Sequence, residues 1–183
     1  MERTFRSLPI LDFQQTKLQM LNWADQFNIC CFLDNHQYRI EPHSYECLVG
    51  AGTLMQLSAD SGSALEQFER FVDNAGDWCF GHLGYDLKNE IENLFSRHPD
   101  HIQFPDLFFF VPEVLLLLSE TELKVGVTDD SHFCVFESIR KISTDVVRPF
   151  RLKREILGQG RRRPFQASEL HGNGIAVLLP GPG

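Results

Sequence analysis

A chain of 183 residues is long enough for one substantial core and short for two. Hydrophobic residues at 43%, among them 16 phenylalanines, argue against disorder throughout, and charged residues at 23% are ordinary for a globular protein. A net charge of −8 repels both a phosphate backbone and an acidic lipid surface, which argues against nucleic acid and membrane as partners.

Residues 4–10 read as an edge strand, because Pro9 lacks the N–H that a central ladder position needs. Asp12 then caps a helix in which Phe13, Met20, Ala24 and Phe27 form one stripe, with Gln14, Gln15, Lys17 and Asp25 outside it. The apolar run 28–34 is bounded by turn formers and reads as a strand buried on both faces. Residues 45–53 pair with it, and Gly50 and Gly52 place a bulge at the far end. Ser63 and Glu66 have the spacing of a capping box, and Leu65, Phe68 and Val72 continue one helical face over 63–74.

The stretch 78–93 changes hydrophobic period in its middle, with Gly81 and Gly84 at the join, so it reads as strand, tight corner and helix. Gly84 there either takes a positive φ or admits another backbone at close range. Asp86 suits the N-cap of a helix running through Phe95, with Leu87, Ile91 and Leu94 facing the core. Beside Tyr85 it also has the makings of a general base, although capping explains it more simply. His98 and His101 follow in a polar loop, but no carboxylate or cysteine completes a metal-ligand spacing.

The apolar runs 107–118 and 123–127 flank a short polar turn and read as an antiparallel hairpin at the centre of a sheet. Asp129 or Ser131 opens a helix whose Val135, Ile139 and Ile142 pack on that hairpin. The sum is an α+β fold, a mainly antiparallel sheet packed with helices. Residues 155–183 show neither helix nor strand periodicity, and Arg161, Arg162 and Arg163 lack the aromatic interleaving of a nucleic-acid site.

Five cysteines are an odd number, and the neighbours Cys30 and Cys31 point to opposite faces of a strand, so no disulfide framework follows. Cys47, Cys79 and Cys134 sit singly among apolar residues as buried reduced thiols, which favours the cytoplasm. The longest apolar run is broken at Pro112 and Glu113, and no basic region precedes an apolar core, so neither a membrane span nor a signal peptide is expected.

Three stretches together resemble a known family. The corner Gly84-Tyr85-Asp86-Leu87, the early strand end Phe32-Leu33-Asp34-Asn35 and the later run from Pro105-Asp106 to Pro112 are similar to the amino-terminal domain of aminodeoxychorismate synthase component I and anthranilate synthase component I. Those enzymes convert chorismate to aromatic amino products. The spelling from Asp86 to Ile91 leans towards the aminodeoxychorismate branch, which leads to para-aminobenzoate and folate. A fragment from the anthranilate branch, which leads to tryptophan, is the alternative. The resemblance makes residues 1–154 a component I amino-terminal domain and leaves 155–183 as an unpatterned tail outside it.

Within that resemblance, chorismate and magnesium belong to a carboxy-terminal catalytic domain that this chain ends too early to contain. No catalytic residue, metal or cofactor site is therefore assigned to any position, and the chain alone is expected to be inactive. The resemblance implies a glutamine amidotransferase subunit as a partner and an effector site at Asp34, Asn35, Gly84 and Tyr85, with an aromatic amino acid as its ligand. In the anthranilate synthases the matching Leu-Leu-Glu-Ser segment lines a tryptophan pocket. Asn35 stands here in place of the serine, and its bulkier amide predicts weak tryptophan binding. An Asx-turn that merely closes the strand is the plainer account of Asp34. A stand-alone small-molecule-binding module on the same scaffold is the second class of function, and the unpatterned tail favours the fragment over it.

Overall fold

Two antiparallel sheets, each with helices on its outer face, account for the residues that the computed structural model describes: 2–36, 38, 45–92 and 104–144, with the backbone of 175–179. The chain forms β1 (Thr4–Pro9), α1 (Phe13–Ala24), β2 (Cys30–Asp34), β3 (Cys47–Ala51), β4 (Met55–Ala59), α2 (Ala64–Ala75) and β5 (Cys79–Leu83). A 3-10 turn, Tyr85–Leu87, leads into the short α3 (Lys88–Ile91). Then come β6 (Leu107–Val111), β7 (Val114–Leu118), β8 (Glu122–Val127), α4 (His132–Arg140) and β9 (Ile175–Leu179). The first sheet has the order β1-β8-β7-β3-β2 and the second β4-β6-β5-β9.

Burial orders these elements into four layers. Met20 and Trp23 of α1, with Phe136 and Ile139 of α4, pack on Val49, Leu116, Leu118 and Val125 of the first sheet. Ala64 and Phe71 of α2 pack on Leu107, Phe109 and Val111 of the second. Between the sheets, Phe80 and Phe110 meet Leu115 and Leu117. Side chains alternate across a strand, so β7 must be apolar on both faces, and all five of its residues are buried. Gly50 lets the sheets close: a Cβ there would lie 2.8 Å from the Phe80 ring.

Arg3 ties the layers together at one end. Its side chain is 3% exposed and pairs with Asp77 at 2.7 Å. It also donates to the carbonyls of Pro112 (2.6 Å), Glu113 (3.1 Å) and Gly126 (3.0 Å). The start of β1, the entry to β5 and the β6–β7 step are thereby held by one guanidinium.

The α+β class, the β1 edge, the Asp12 cap on Gln15 N–H (2.9 Å), the β2–β3 pairing and the β7–β8 hairpin all match the sequence expectations. Several others are corrected. The run 107–118 is two strands in different sheets, because Pro112 breaks the ladder and the chain crosses there. Strand β2 is an edge strand, half-buried with Cys30 exposed, since only β3 pairs with it. No bulge interrupts β3: its register with β2 runs unbroken to Ala51, and Gly52 instead supplies the positive φ (73°) of the turn into β4, a strand the sequence reading missed. Helix α2 starts where expected, yet the Ser63 side chain does not cap it. Cys134 is exposed on α4 rather than buried. Within 155–183, expected to lack strand periodicity, Ile175–Leu179 forms a strand antiparallel to β5, whose open edge offers the pairing; the remainder of that stretch lies outside the described residues.

Because Arg3 is buried, removing its partner strands a charge. Asp77→Ala is expected to cost about 3–5 kcal/mol in urea unfolding followed by tryptophan fluorescence. A loss below about 1 kcal/mol would show that the carbonyls alone hold the guanidinium.

Candidate functional site

The two stretches expected to frame an effector site occupy the ends of β2 and β5. On β2, side chains alternate: Cys31 and Leu33 face the inter-sheet core, whereas Phe32 packs on the helix side. Asp34 continues the helix-side face. Its carboxylate pairs with Lys17 Nζ of α1 at 2.5 Å, accepts the His36 N–H at 2.9 Å and meets Cys47 Sγ at 3.7 Å. Burial pushes the Asp34 carboxyl up, but the hydrogen bonds and charges of Lys17 and His36 outweigh it and hold the group below its usual range. The bond from His36 N–H is the Asx-turn that the sequence allowed, and it sets His36 at φ 52°. Asn35 is spent on the loop as well: its amide donates to Tyr38 O at 2.8 Å and Glu46 Oε2 at 3.5 Å.

At the end of β5, Gly84 has φ −75°, so positive φ is not what glycine provides there. Close approach is. Its N–H donates to Asp106 O at 2.5 Å, and a Cβ would sit 2.9 Å from that oxygen. Tyr85 is 65% exposed, with Lys88 Nζ 4.3 Å from its ring centroid. Asp86 is not a helix N-cap: it lies inside the 3-10 turn and pairs with Lys88 at 2.8 Å. Helix α3 stops at Ile91, which is exposed, while Leu87 is buried; Leu94, the third residue of the expected stripe, and Phe95 lie outside the described residues.

Among the described residues no hydrogen bond, ion pair or ring contact joins Asp34 or Asn35 to Gly84 or Tyr85. Leu33 belongs to the inter-sheet core, to which Phe108 of β6 also contributes, whereas Leu83 and Leu87 at the β5 corner pack in the cluster beneath α2. His82, which sequence reasoning passed over, lies beside that core. It stacks on Phe104 (centroids 4.6 Å apart) and Phe108 (6.1 Å), and its Nε2–H donates to Pro105 O at 3.1 Å. The signal available in sequence was the alternation of Phe80 and His82 on one face of the strand.

The corner is braced from behind by a contact between distant segments. Glu90 of α3 accepts the N–H groups of Gly62 (2.6 Å), Ala64 (2.7 Å) and Leu65 (3.1 Å), so it supplies the cap that Ser63 does not. Asp106, which receives the Gly84 N–H, also accepts Ser61 N–H at 2.8 Å. The start of α2 and the Gly84 corner thus share their partners.

A separate cleft of about 360 Å3 opens between α1 and α4, lined by Ile10, Leu11, Asp12, Gln19, Phe136 and Arg140 among others. No group of three metal-ligating side chains converges among the described residues, and His98 and His101 fall outside them. Burial pushes the Cys47 thiol up to about 12 and those of Cys31 and Cys79 up to about 11, so none is a thiolate nucleophile near neutral pH. No described helix is long and apolar enough to cross a membrane. The sequence matches no protein-family model and no curated protein.

Burial raises the Glu90 pKa, but the three N–H donors outweigh it and hold the carboxyl below its ordinary value of 4.5. A depressed native pKa adds stability that is complete above 4.5 and fades as pH falls through the native value. Glu90→Ala is expected to lose about 1 kcal/mol at neutral pH, shrinking towards zero in acid. Urea midpoints of both proteins between about pH 3 and 7 check this, and a pH-independent difference would contradict it.

Proposed function

We propose that this chain is the amino-terminal domain of an aminodeoxychorismate synthase component I-like protein, a non-catalytic scaffold in the amination of chorismate towards para-aminobenzoate. The observation that carries the reading is that two segments resembling the family, Phe32-Leu33-Asp34-Asn35 and Gly84-Tyr85-Asp86-Leu87, meet through the third, the run from Pro105 to Pro112: its Phe108 shares the inter-sheet core with Leu33 of the first, and its Asp106 O accepts the Gly84 N–H of the second at 2.5 Å. Each is also locally special. The first ends in an Asx-turn, and the second turns where only glycine fits against Asp106.

Asp34 bears on the branch. A tryptophan ammonium would need that carboxylate, but Lys17 already neutralises it on the helix side of the sheet, away from Leu33 and the inter-sheet core. That favours the aminodeoxychorismate branch over a tryptophan-regulated one. Under this reading magnesium and chorismate are held by a catalytic domain, an amidotransferase supplies ammonia, and the five free cysteines suit a reducing cytoplasm.

Two measurements test this. Mixed with a component I enzyme whose own amino-terminal domain has been deleted, the chain should restore chorismate amination; two folded parts that remain inactive would overturn the assignment. In calorimetry, L-tryptophan should bind with a dissociation constant weaker than about 1 mM, and tight binding would move the chain to the anthranilate branch.

A further inference from the structure

The cleft between α1 and α4 holds polar groups that the component I reading leaves unused. Its volume of about 360 Å3 is in the range of small-ligand sites. Gln19 lines it and is only 7% exposed. Its amide nitrogen donates to Arg140 O at 2.9 Å and Ile142 O at 3.2 Å, which uses both N–H groups and fixes the orientation of the amide, because carbonyls only accept. The Gln19 oxygen is thereby turned away from those carbonyls. It takes no hydrogen bond from the described residues, and Gln19 is part of the cleft lining.

Charge and apolar surface specify what fits. One oxygen of Asp12 caps the Gln15 N–H at 2.9 Å, and the other has no partner among the described residues. Arg140, which also lines the cleft, pairs with Glu137 at 3.0 Å, and among the described residues no cation pairs with Asp12. Phe136 and Ile139 are buried, whereas Leu11 is fully exposed, and covering a water-facing leucine is favourable.

We propose that this cleft binds a small primary ammonium carried on an apolar body. The ammonium donates to the Gln19 oxygen and the second Asp12 oxygen, and the body covers Leu11. The site is independent of the component I assignment and stands if that assignment fails.

Benzylammonium, benzyl alcohol and benzoate share a ring and differ in head group, so NMR titration of the full chain with each separates the possibilities. Saturable shifts are expected at the Gln19 side-chain amide and the Ile139 methyls. Benzylammonium should bind about fivefold or more tightly than benzyl alcohol, with benzoate weakest. Asn caps a helix as well as Asp does, so Asp12→Asn should keep the fold while weakening benzylammonium about fivefold and leaving benzyl alcohol unchanged. Leu11→Ser, at an exposed position, should weaken benzylammonium and benzyl alcohol alike by about threefold, and it decides the matter if Asp12→Asn does not fold. Absence of saturable shifts, benzoate binding as well as benzylammonium, or indifference to a folded Asp12→Asn would each overturn the proposal.

Discussion

One buried guanidinium sits where the two sheets are joined. Arg3 spends its five N–H donors on Asp77, Pro112 O, Glu113 O and Gly126 O, and that full satisfaction offsets the cost of taking the charge out of water. The carbonyls of Pro112 and Glu113 belong to the step at which the chain leaves β6 in one sheet and enters β7 in the other. Held there, the step sets which faces of the two sheets meet. Phe80 and Phe110 then pack on Leu115 and Leu117, and Gly50 provides the room for the Phe80 ring.

That arrangement governs what the candidate site offers. Alternation along β2 sends Leu33 into the inter-sheet core and Asp34 to the side where Lys17 waits on α1. The acidic group is therefore part of the joint between strand and helix, not a wall of an inter-sheet pocket. At the β5 corner the polar groups are likewise engaged: Gly84 and Asp106 bind backbone to backbone, and Glu90 closes the free N–H groups of α2. Tyr85, Ile91 and Phe104 stay exposed beside the exposed acids Asp86 and Glu92.

The candidate site was legible in part. Asp34 as an Asx-turn and Gly84 as a point of close approach both follow from local stereochemistry, and both are observed. Their separation was not legible, because no spacing in the chain says on which side of a sheet a strand end will present its carboxylate. Glu90 was missed for a similar reason. Ser63 and Glu66 have capping-box spacing, but a carboxylate from a segment remote in sequence reaches the same N–H groups. The α1–α4 cleft was hidden too, since Gln19 and Arg140 come together only when the two helices pack side by side.

The sequence by itself determined the α+β class, the β1 edge at Pro9, the Asp12 cap, the antiparallel β2–β3 and β7–β8 pairs and the extent of α2. Each depends on residues close in the chain, where hydrophobic period, a missing N–H or a capping side chain acts directly. Tertiary structure alone decided that 107–118 divides between two sheets, that β4 exists, that Ile175–Leu179 pairs with β5 and that Asp34 answers to Lys17. Pro112 marks where the run 107–118 can break, but the apolar pattern on either side of it fits one sheet or two. The choice falls to long-range packing between sheets and to a buried charge that must find all of its partners.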